Sequence, residues 1–116
     1  EVIRQIGRCR LVIAGSYHAA VFALSQGIPV VALAASDYYI TKFLGLRQCF
    51  GVGCEVVRFN CNSDPRKPMA SAVLSLWNCA ERLREPLLQA AQRQIEAASC
   101  AYEQIRKLLE APVKIA

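Results

Sequence analysis

The sequence of 116 residues has little that would place it in or across a membrane. Its hydrophobic fraction is 54%, yet no apolar run approaches the ~20 residues that a spanning helix needs. Residues 1–8 also lack the apolar segment of a secretory signal peptide. We therefore expect a cytoplasmic protein without a transmembrane segment.

Common catalytic and nucleotide-binding motifs are absent as well. The chain contains no G-x-S-x-G, no Walker sequence and no G-x-G-x-x-G. Its net charge of +5 comes from 14 Lys and Arg against 9 Asp and Glu. The basic residues are scattered, and Arg10 and Arg47 are expected at solvated margins. This charge suits anionic ligands and does not indicate nucleic acid. We expect no cofactor.

The cysteines lack the spacing of a metal site or a disulfide framework. Cys49, Cys54 and Cys61 are separated by gaps unlike the paired C-x-x-C of zinc sites, and the single histidine, His18, is remote from them. Without a secretory signal, scattered cysteines are typical of reduced thiols that behave as small hydrophobes. We expect no metal.

The first half of the chain alternates between strand and helix patterns. Residues 10–14 form a run that is apolar after Arg10 and is typical of a strand covered on both faces. Ser16 is placed to cap a helix that ends at Gly27, a residue suited to the left-handed conformation. Pro29 then opens a second strand over residues 30–34. A β-α-β unit of this kind predicts a parallel sheet.

A second unit follows the same plan. Ser36 or Asp37 is expected to cap a short helix that Gly45 stops. Residues 55–59 then predict a third, edge-like strand. From Lys67 onward the pattern is helical.

The helical part is expected to consist of two helices separated at Glu85 and Pro86. The second, from about residue 86 to 110, carries an apolar seam with three-four spacing. The seam residues are Leu88, Ala91, Ile95, Ala98, Tyr102, Ile105 and Leu109. We expect the seam to pack as an antiparallel lid on this or an adjoining domain; a homodimer through it is the alternative.

These patterns predict an α/β fold with a long C-terminal helical segment. Residues 1–64 would form the parallel α/β core, and residues 65–116 would pack on it within a single domain. Val2, Ile3 and Ile6 look like the end of an amphipathic helix. We therefore expect the chain to be a fragment of a larger protein.

The turn after the first strand is the main candidate site. Parallel sheets bind ligands at the carboxyl ends of their strands, and His18 lies there on the first turn of a helix. The backbone of Gly15, Ser16 and Tyr17 offers N–H groups where the helix dipole favours an anion. His18 could add a proton donor, although a solvated histidine at a helix start is the simpler interpretation.

The turn after the second strand faces the same edge. Ser36, Asp37, Tyr38 and Tyr39 supply hydroxyls, a carboxylate and aromatic rings suited to a sugar or base, and Lys42 follows one turn later. The alternative is that Ser36 and Asp37 only cap the helix while the tyrosines are half-buried at its edge.

Residues 8–57 resemble the C-terminal part of the polysaccharide pyruvyl transferase family. The segments that carry the resemblance are Cys9-Arg10-Leu11-Val12, Ser16-Tyr17-His18-Ala19, Phe22-Ala23-Leu24-Ser25-Gln26-Gly27-Ile28-Pro29-Val30-Val31 and Tyr38-Tyr39-Ile40-Thr41-Lys42-Phe43-Leu44-Gly45-Leu46. The resemblance implies the Rossmann-like C-terminal lobe of a two-lobed, GT-B-like enzyme. That enzyme would transfer a pyruvyl group from phosphoenolpyruvate to a sugar hydroxyl in cell-surface polysaccharide synthesis.

The resemblance also implies roles for individual residues. His18 would contact or protonate the donor, in an Arg-x-His turn in which this chain carries Ser16 at the arginine position. A serine hydroxyl cannot replace the bidentate clamp of a guanidinium. A nucleotide-sugar glycosyltransferase lobe and a non-catalytic glycan- or partner-binding module therefore stay open as alternatives. The partner implied in each enzymatic case is an N-terminal lobe of the same protein, without which the fragment would be inactive.

Overall fold

The computed structural model describes residues 1–60 and 62–111. Cys61, part of the cysteine group considered above, and residues 112–116 lie outside the described residues. The elements, in chain order, are α1 (Val2–Ile6), β1 (Val12–Ala14), α2 (Tyr17–Ser25), β2 (Val30–Ala34), α3 (Asp37–Phe50), β3 (Cys54–Arg58) and α4 (Arg66–Glu110). The three strands form one sheet in the order β1-β2-β3, and both pairings are parallel. The predicted α/β class with a long C-terminal helix is confirmed.

The central strand β2 is covered on both faces by helices. Val30, Ala32 and Ala34 belong to the apolar cluster that includes α2 and α3, whereas Val31 and Leu33 belong to the cluster beneath α4. Successive side chains of a strand point to opposite faces, so one short apolar run supplies both clusters. The sheet therefore lies between α2 and α3 on one side and the first part of α4 on the other, while Leu87 and Ala90 further along α4 pack in the cluster with α2 and α3.

The prediction that the first strand is buried on both faces was wrong. Strand β1 begins only at Val12, and the side chain of Ile13 is 49% exposed. Within residues 1–60 and 62–111, β1 pairs with β2 alone and so lies at the edge of the sheet. Apolar composition cannot distinguish an edge strand from a central one, because both pack at least one face.

The serine caps and the first glycine stop are confirmed. Ser16 Oγ accepts from the amide of Ala19 at 3.3 Å, and Ser36 Oγ accepts from the amide of Tyr39 at 3.3 Å. Gly27 follows α2 with a φ of 81°. A β-carbon on Gly27 would lie 3.0 Å from Arg84 Cγ, so α4 also passes close to this turn.

Gly45 does not end α3, contrary to the prediction. The helix continues to Phe50 and ends at Gly51, whose φ is 78°. Phe43, Leu46 and Phe50 are buried at three-four spacing across the glycine. Their burial outweighs the ~1 kcal/mol that a glycine costs inside a helix.

Pro86 does not separate two helices, and this prediction also was wrong. Residues 66–110 form a single helix with Pro86 inside it. A proline in a helix costs ~3 kcal/mol through a lost hydrogen bond and a clash with the fourth residue before it. Leu87, directly after it, and Ala90 are fully buried, whereas Arg82 and Pro86 are exposed on the other face of the helix. Packing on one face and solvation on the other keep the helix continuous.

Only the first part of the predicted seam is packed within the described chain. Leu88 and Ala91 are half-buried, but every residue from 92 to 110 is exposed. Tyr102 is 74% exposed and Leu109 is 81% exposed. Within the described residues, the seam therefore packs on this domain only through Leu88 and Ala91, and the helix then runs past the end of the core; packing on an adjoining domain stays a prediction. No helix of residues 1–60 and 62–111 combines the length and apolarity needed to span a bilayer.

Arg10 is not at a solvated margin, which corrects another expectation. Its guanidinium lies 5.0 Å from the centre of the Trp77 ring and donates to the Trp77 carbonyl from Nε at 3.1 Å and Nη2 at 2.6 Å. It also forms an ion pair with Glu81 at 3.3 Å. These contacts hold α4 against the residues that immediately precede β1.

The five described cysteines are Cys9, Cys49, Cys54, Cys79 and Cys100, and all five are free thiols. In the described part of the chain, no three His, Cys, Asp or Glu side chains are grouped to hold a metal ion.

Candidate functional site

The carboxyl ends of all three strands meet at one edge of the sheet. Each strand is followed there by polar residues: Ser16 and His18 after β1, Ser36 and Asp37 after β2, and Arg58 at the end of β3. Because the strands are parallel, the N-termini of α2 and α3 lie at this same edge. The fold therefore brings the two predicted turns together.

His18 is exposed on the first turn of α2. Its ring centre lies 6.1 Å from that of Tyr17 in an edge-to-face arrangement and 6.5 Å from that of Phe22. Tyr17 in turn lies 6.1 Å from the ring of Phe43, which is fully buried. Tyr17 is thus anchored in the core, and the imidazole beside it remains accessible to a ligand.

Lys42 connects the two predicted turns. Its Nζ lies 4.7 Å from the ring centre of Tyr17 on α2 and 5.5 Å from that of Tyr38 on α3. An ammonium group over aromatic faces gains ~0.5–1 kcal/mol at exposed positions. The structure thereby brings Tyr17, Tyr38 and Lys42 into one cluster, with His18 at its margin.

The two serines at this edge act as helix caps in the described structure. The hydroxyl oxygens of Ser16 and Ser36 accept from amides in the first turns of α2 and α3. The first amides of any helix lack an intrahelical acceptor, so those of Tyr17 and His18 point toward the edge. Gly15 has no side chain and can contribute only its backbone. A β-carbon at this position would lie 3.8 Å from the Leu33 carbonyl oxygen, its nearest neighbour.

Asp37 has a partner that sequence reasoning missed. Its carboxylate forms an ion pair with the guanidinium of Arg58, and both side chains are substantially exposed. The pair links the end of β3 to the start of α3. The position of an arginine at the end of a predicted strand was the available signal, but its partner depends on which strands are neighbours.

Tyr38 and Tyr39 form an exposed aromatic pair on the first turn of α3. Their ring centres are 5.3 Å apart in an edge-to-face arrangement. Tyr38 is 64% exposed and Tyr39 is 44% exposed. The interpretation that these rings are half-buried at the helix edge therefore does not hold for Tyr38, whose ring is largely exposed to solvent.

Three clefts among the described residues are lined mostly by residues outside the two turns at this edge. The largest of three, with a volume of about 310 Å³, is bounded by α2, α3 and α4. Of the predicted site residues, only Tyr17 lines any of the three. At the carboxyl edge, Ser16, His18, Ser36 and Asp37 are exposed.

Comparison with known proteins relates the first part of the chain to a protein family. Residues 1–37 match the family model described as polysaccharide pyruvyl transferase. No curated protein and no solved structure matches the chain significantly. The matched segment runs from α1 to Asp37 and includes His18. The resemblance seen in the sequence is therefore confirmed for residues 1–37: over this segment, the chain is similar to the polysaccharide pyruvyl transferases, a family of transferases.

Proposed function

We propose that the chain is the C-terminal lobe of a GT-B-like enzyme that transfers a pyruvyl group from phosphoenolpyruvate to a sugar hydroxyl in cell-surface polysaccharide synthesis. One observation carries the proposal: within the segment similar to pyruvyl transferases, His18 is exposed at the carboxyl edge of a parallel sheet. In this proposal, residues 1–64 hold the reacting groups, and the helical segment that begins at residue 65 packs on them through the part that ends at Ala91.

The proposed chemistry needs a proton donor and an anion site. A proton added to the methylene carbon of phosphoenolpyruvate makes C2 electrophilic, a sugar hydroxyl oxygen bonds to C2, and phosphate departs with the enol oxygen. A second hydroxyl oxygen then bonds to C2 and closes the ketal; of the two hydroxyl protons released, one replaces the proton added to the methylene carbon and the other leaves on the phosphate. His18 would supply that proton or anchor the departing phosphate. The N–H groups of Gly15, Ser16 and Tyr17 would stabilise the anion at the start of α2.

The acceptor would bind beside α3. The exposed ring of Tyr38 suits contact with the apolar face of a sugar ring, and Asp37 and Ser36 can accept hydrogen bonds from hydroxyls. Lys42, held between Tyr17 and Tyr38, would place a positive charge between acceptor and donor. These assignments are supported by the grouping of the residues at one edge.

The open edge and the exposed part of α4 support a second lobe. Residues 92–110 expose an apolar seam, and Ile13 is exposed at the free edge of the sheet. Surfaces of this kind usually bind a partner. We propose that an N-terminal lobe of the same protein covers them and closes the site; a homodimer through the seam is the alternative. Free thiols in Cys9, Cys49 and Cys100 fit a cytoplasmic, reducing location.

The test is donor preference in the full-length protein. Phosphoenolpyruvate and nucleotide sugars are titrated separately by calorimetry, and phosphate release is followed with and without a glycan acceptor. We expect saturable binding of phosphoenolpyruvate and phosphate release that depends on the acceptor. Binding of nucleotide sugars alone would establish a glycosyltransferase instead. Binding of neither donor would leave a non-catalytic module and overturn the proposal.

A further inference from the structure

Arg58 stands at the level of the candidate site although it lies far from it in sequence. Ala14 pairs with Ala32, which pairs with Val56, and Arg58 is two residues beyond Val56. Ser16 is likewise two residues beyond Ala14. Continuing the register therefore places Arg58 and Ser16 at the same level, separated by two strand spacings of ~4.8 Å each.

Arg58 also belongs to the correct face of the sheet. Cys54 and Val56, which have the same parity in β3, pack in the cluster formed with α2 and α3. The guanidinium reaches Asp37, at the start of α3 and beyond the end of the central strand. The positive charge of Arg58 is therefore displaced from β3 toward β1. It lies on the side of the sheet where α2 begins, with His18 in the first turn of that helix.

We propose that Arg58 binds the anionic group of the donor, and that Asp37 holds its guanidinium in place until the donor arrives. The inference rests on the proposed function, which requires a carboxylate- and phosphate-bearing donor. A planar guanidinium binds either group through two parallel hydrogen bonds. The nearby Lys42 is a point charge already held over two rings and is less suited to that role.

Asp37 should compete only weakly with the donor for the guanidinium of Arg58. The Asp37 side chain is 90% exposed and that of Arg58 is 48% exposed. Exposed ion pairs contribute little because water screens the charges and ordering two side chains costs entropy. A donor with several negative charges can therefore displace Asp37, and the freed carboxylate becomes available to the acceptor.

The experiment measures phosphoenolpyruvate binding alone, by calorimetry on the full-length protein, so that the acceptor plays no part. We expect Arg58→Gln to weaken binding about 10- to 100-fold, the effect of losing charge-assisted hydrogen bonds. Arg58→Lys should recover part of the loss. Asp37→Asn should tighten binding severalfold, and this gain should vanish in the Arg58→Gln background. Arg47→Gln, an exposed arginine near the other end of α3, is the matched control and should bind as the wild type does.

The outcomes separate the inference from the proposed function. If the wild type binds phosphoenolpyruvate and Arg58→Gln binds equally well, the inference is wrong and the proposed function stands. An Asp37→Asn gain that persists without Arg58 also overturns it, because Asp37 would then repel the donor directly. If the wild type binds no phosphoenolpyruvate, the proposed function fails, and this inference fails with it.

Discussion

Gly53 lies directly against Leu87. A β-carbon built on Gly53 would approach Leu87 Cδ1 to 2.9 Å, and Gly53 has a φ of 80°. Leu87 is fully buried, so it has little room to move away. Because Gly53 immediately precedes β3 and Leu87 follows Pro86, this contact fixes the middle of α4 against the amino-terminal edge of the sheet.

Gly53→Ala should therefore destabilise the fold. The methyl group meets Leu87, and the backbone conformation is one that alanine rarely adopts. We expect a loss of about 1–3 kcal/mol in the free energy of unfolding, measured by urea denaturation. Gly45→Ala is the matched control, since no atom lies within 4 Å of its β-carbon position, and it should stabilise α3 by about 0.5–1 kcal/mol. Equal effects of the two substitutions would contradict the close approach of α4.

Cys54 should make stability depend on pH in the alkaline range. Burial raises the pKa of the Cys54 thiol from 9.0 to about 11, because the thiolate is poorly solvated there. A raised pKa in the folded state adds stability that is present below pH 9 and is lost as the pH rises toward 11. The loss should be about 2–3 kcal/mol across that interval.

Urea denaturation at several pH values checks this prediction. Cys54→Ala should reduce the fall in unfolding free energy between pH 9 and pH 11, although the variant is less stable than the wild type near neutrality. Cys49→Ala, which removes an exposed thiol, should keep the wild-type dependence on pH. If Cys54→Ala and the wild type lose stability equally with rising pH, the thiol is not the group responsible.

His18→Gln should slow pyruvyl transfer by the full-length protein. Removing an acid–base group typically costs ~10²–10⁴ in rate, and glutamine keeps a hydrogen-bond donor but cannot transfer the proton. The expected change is in kcat, measured by phosphate release at saturating phosphoenolpyruvate. Because the side chain is exposed, thermal unfolding should be nearly unchanged. Wild-type turnover in this variant would remove His18 from the mechanism.

The exposed part of α4 should exchange its amide hydrogens more slowly when the N-terminal lobe is present. In the 116-residue chain, amides of residues 92–110 should exchange hydrogen much faster than those of residues 70–90, because the exposed end of α4 lacks the tertiary packing that supplies most helical stability. In the full-length protein, we expect residues 92–110 to gain at least about tenfold protection. Residues 70–90 serve as the internal control. Equal exchange of residues 92–110 in both proteins would show that no lobe covers the seam.

Short-range features of this fold could be predicted from the sequence because they depend on neighbouring residues. Ser16 and Ser36 cap their helices through hydroxyls three residues from the amides they accept, and Gly27 adopts the predicted left-handed conformation. The strand segments and their parallel pairing also follow, since β-α-β units permit little else. These features were sufficient to place His18 at the carboxyl edge of the sheet.

The tertiary structure decided what depends on distant residues. Gly45 and Pro86 stay inside helices because burial on one face outweighs their local cost, and the sequence does not show which face is buried. The contact of Arg10 with Trp77 and that of Arg58 with Asp37 each join residues that only strand order and helix crossing bring together. Propensity and capping act over three or four residues, whereas packing free energy is a property of the assembled layers; the local sequence therefore determined the elements, and the core determined their length and their neighbours.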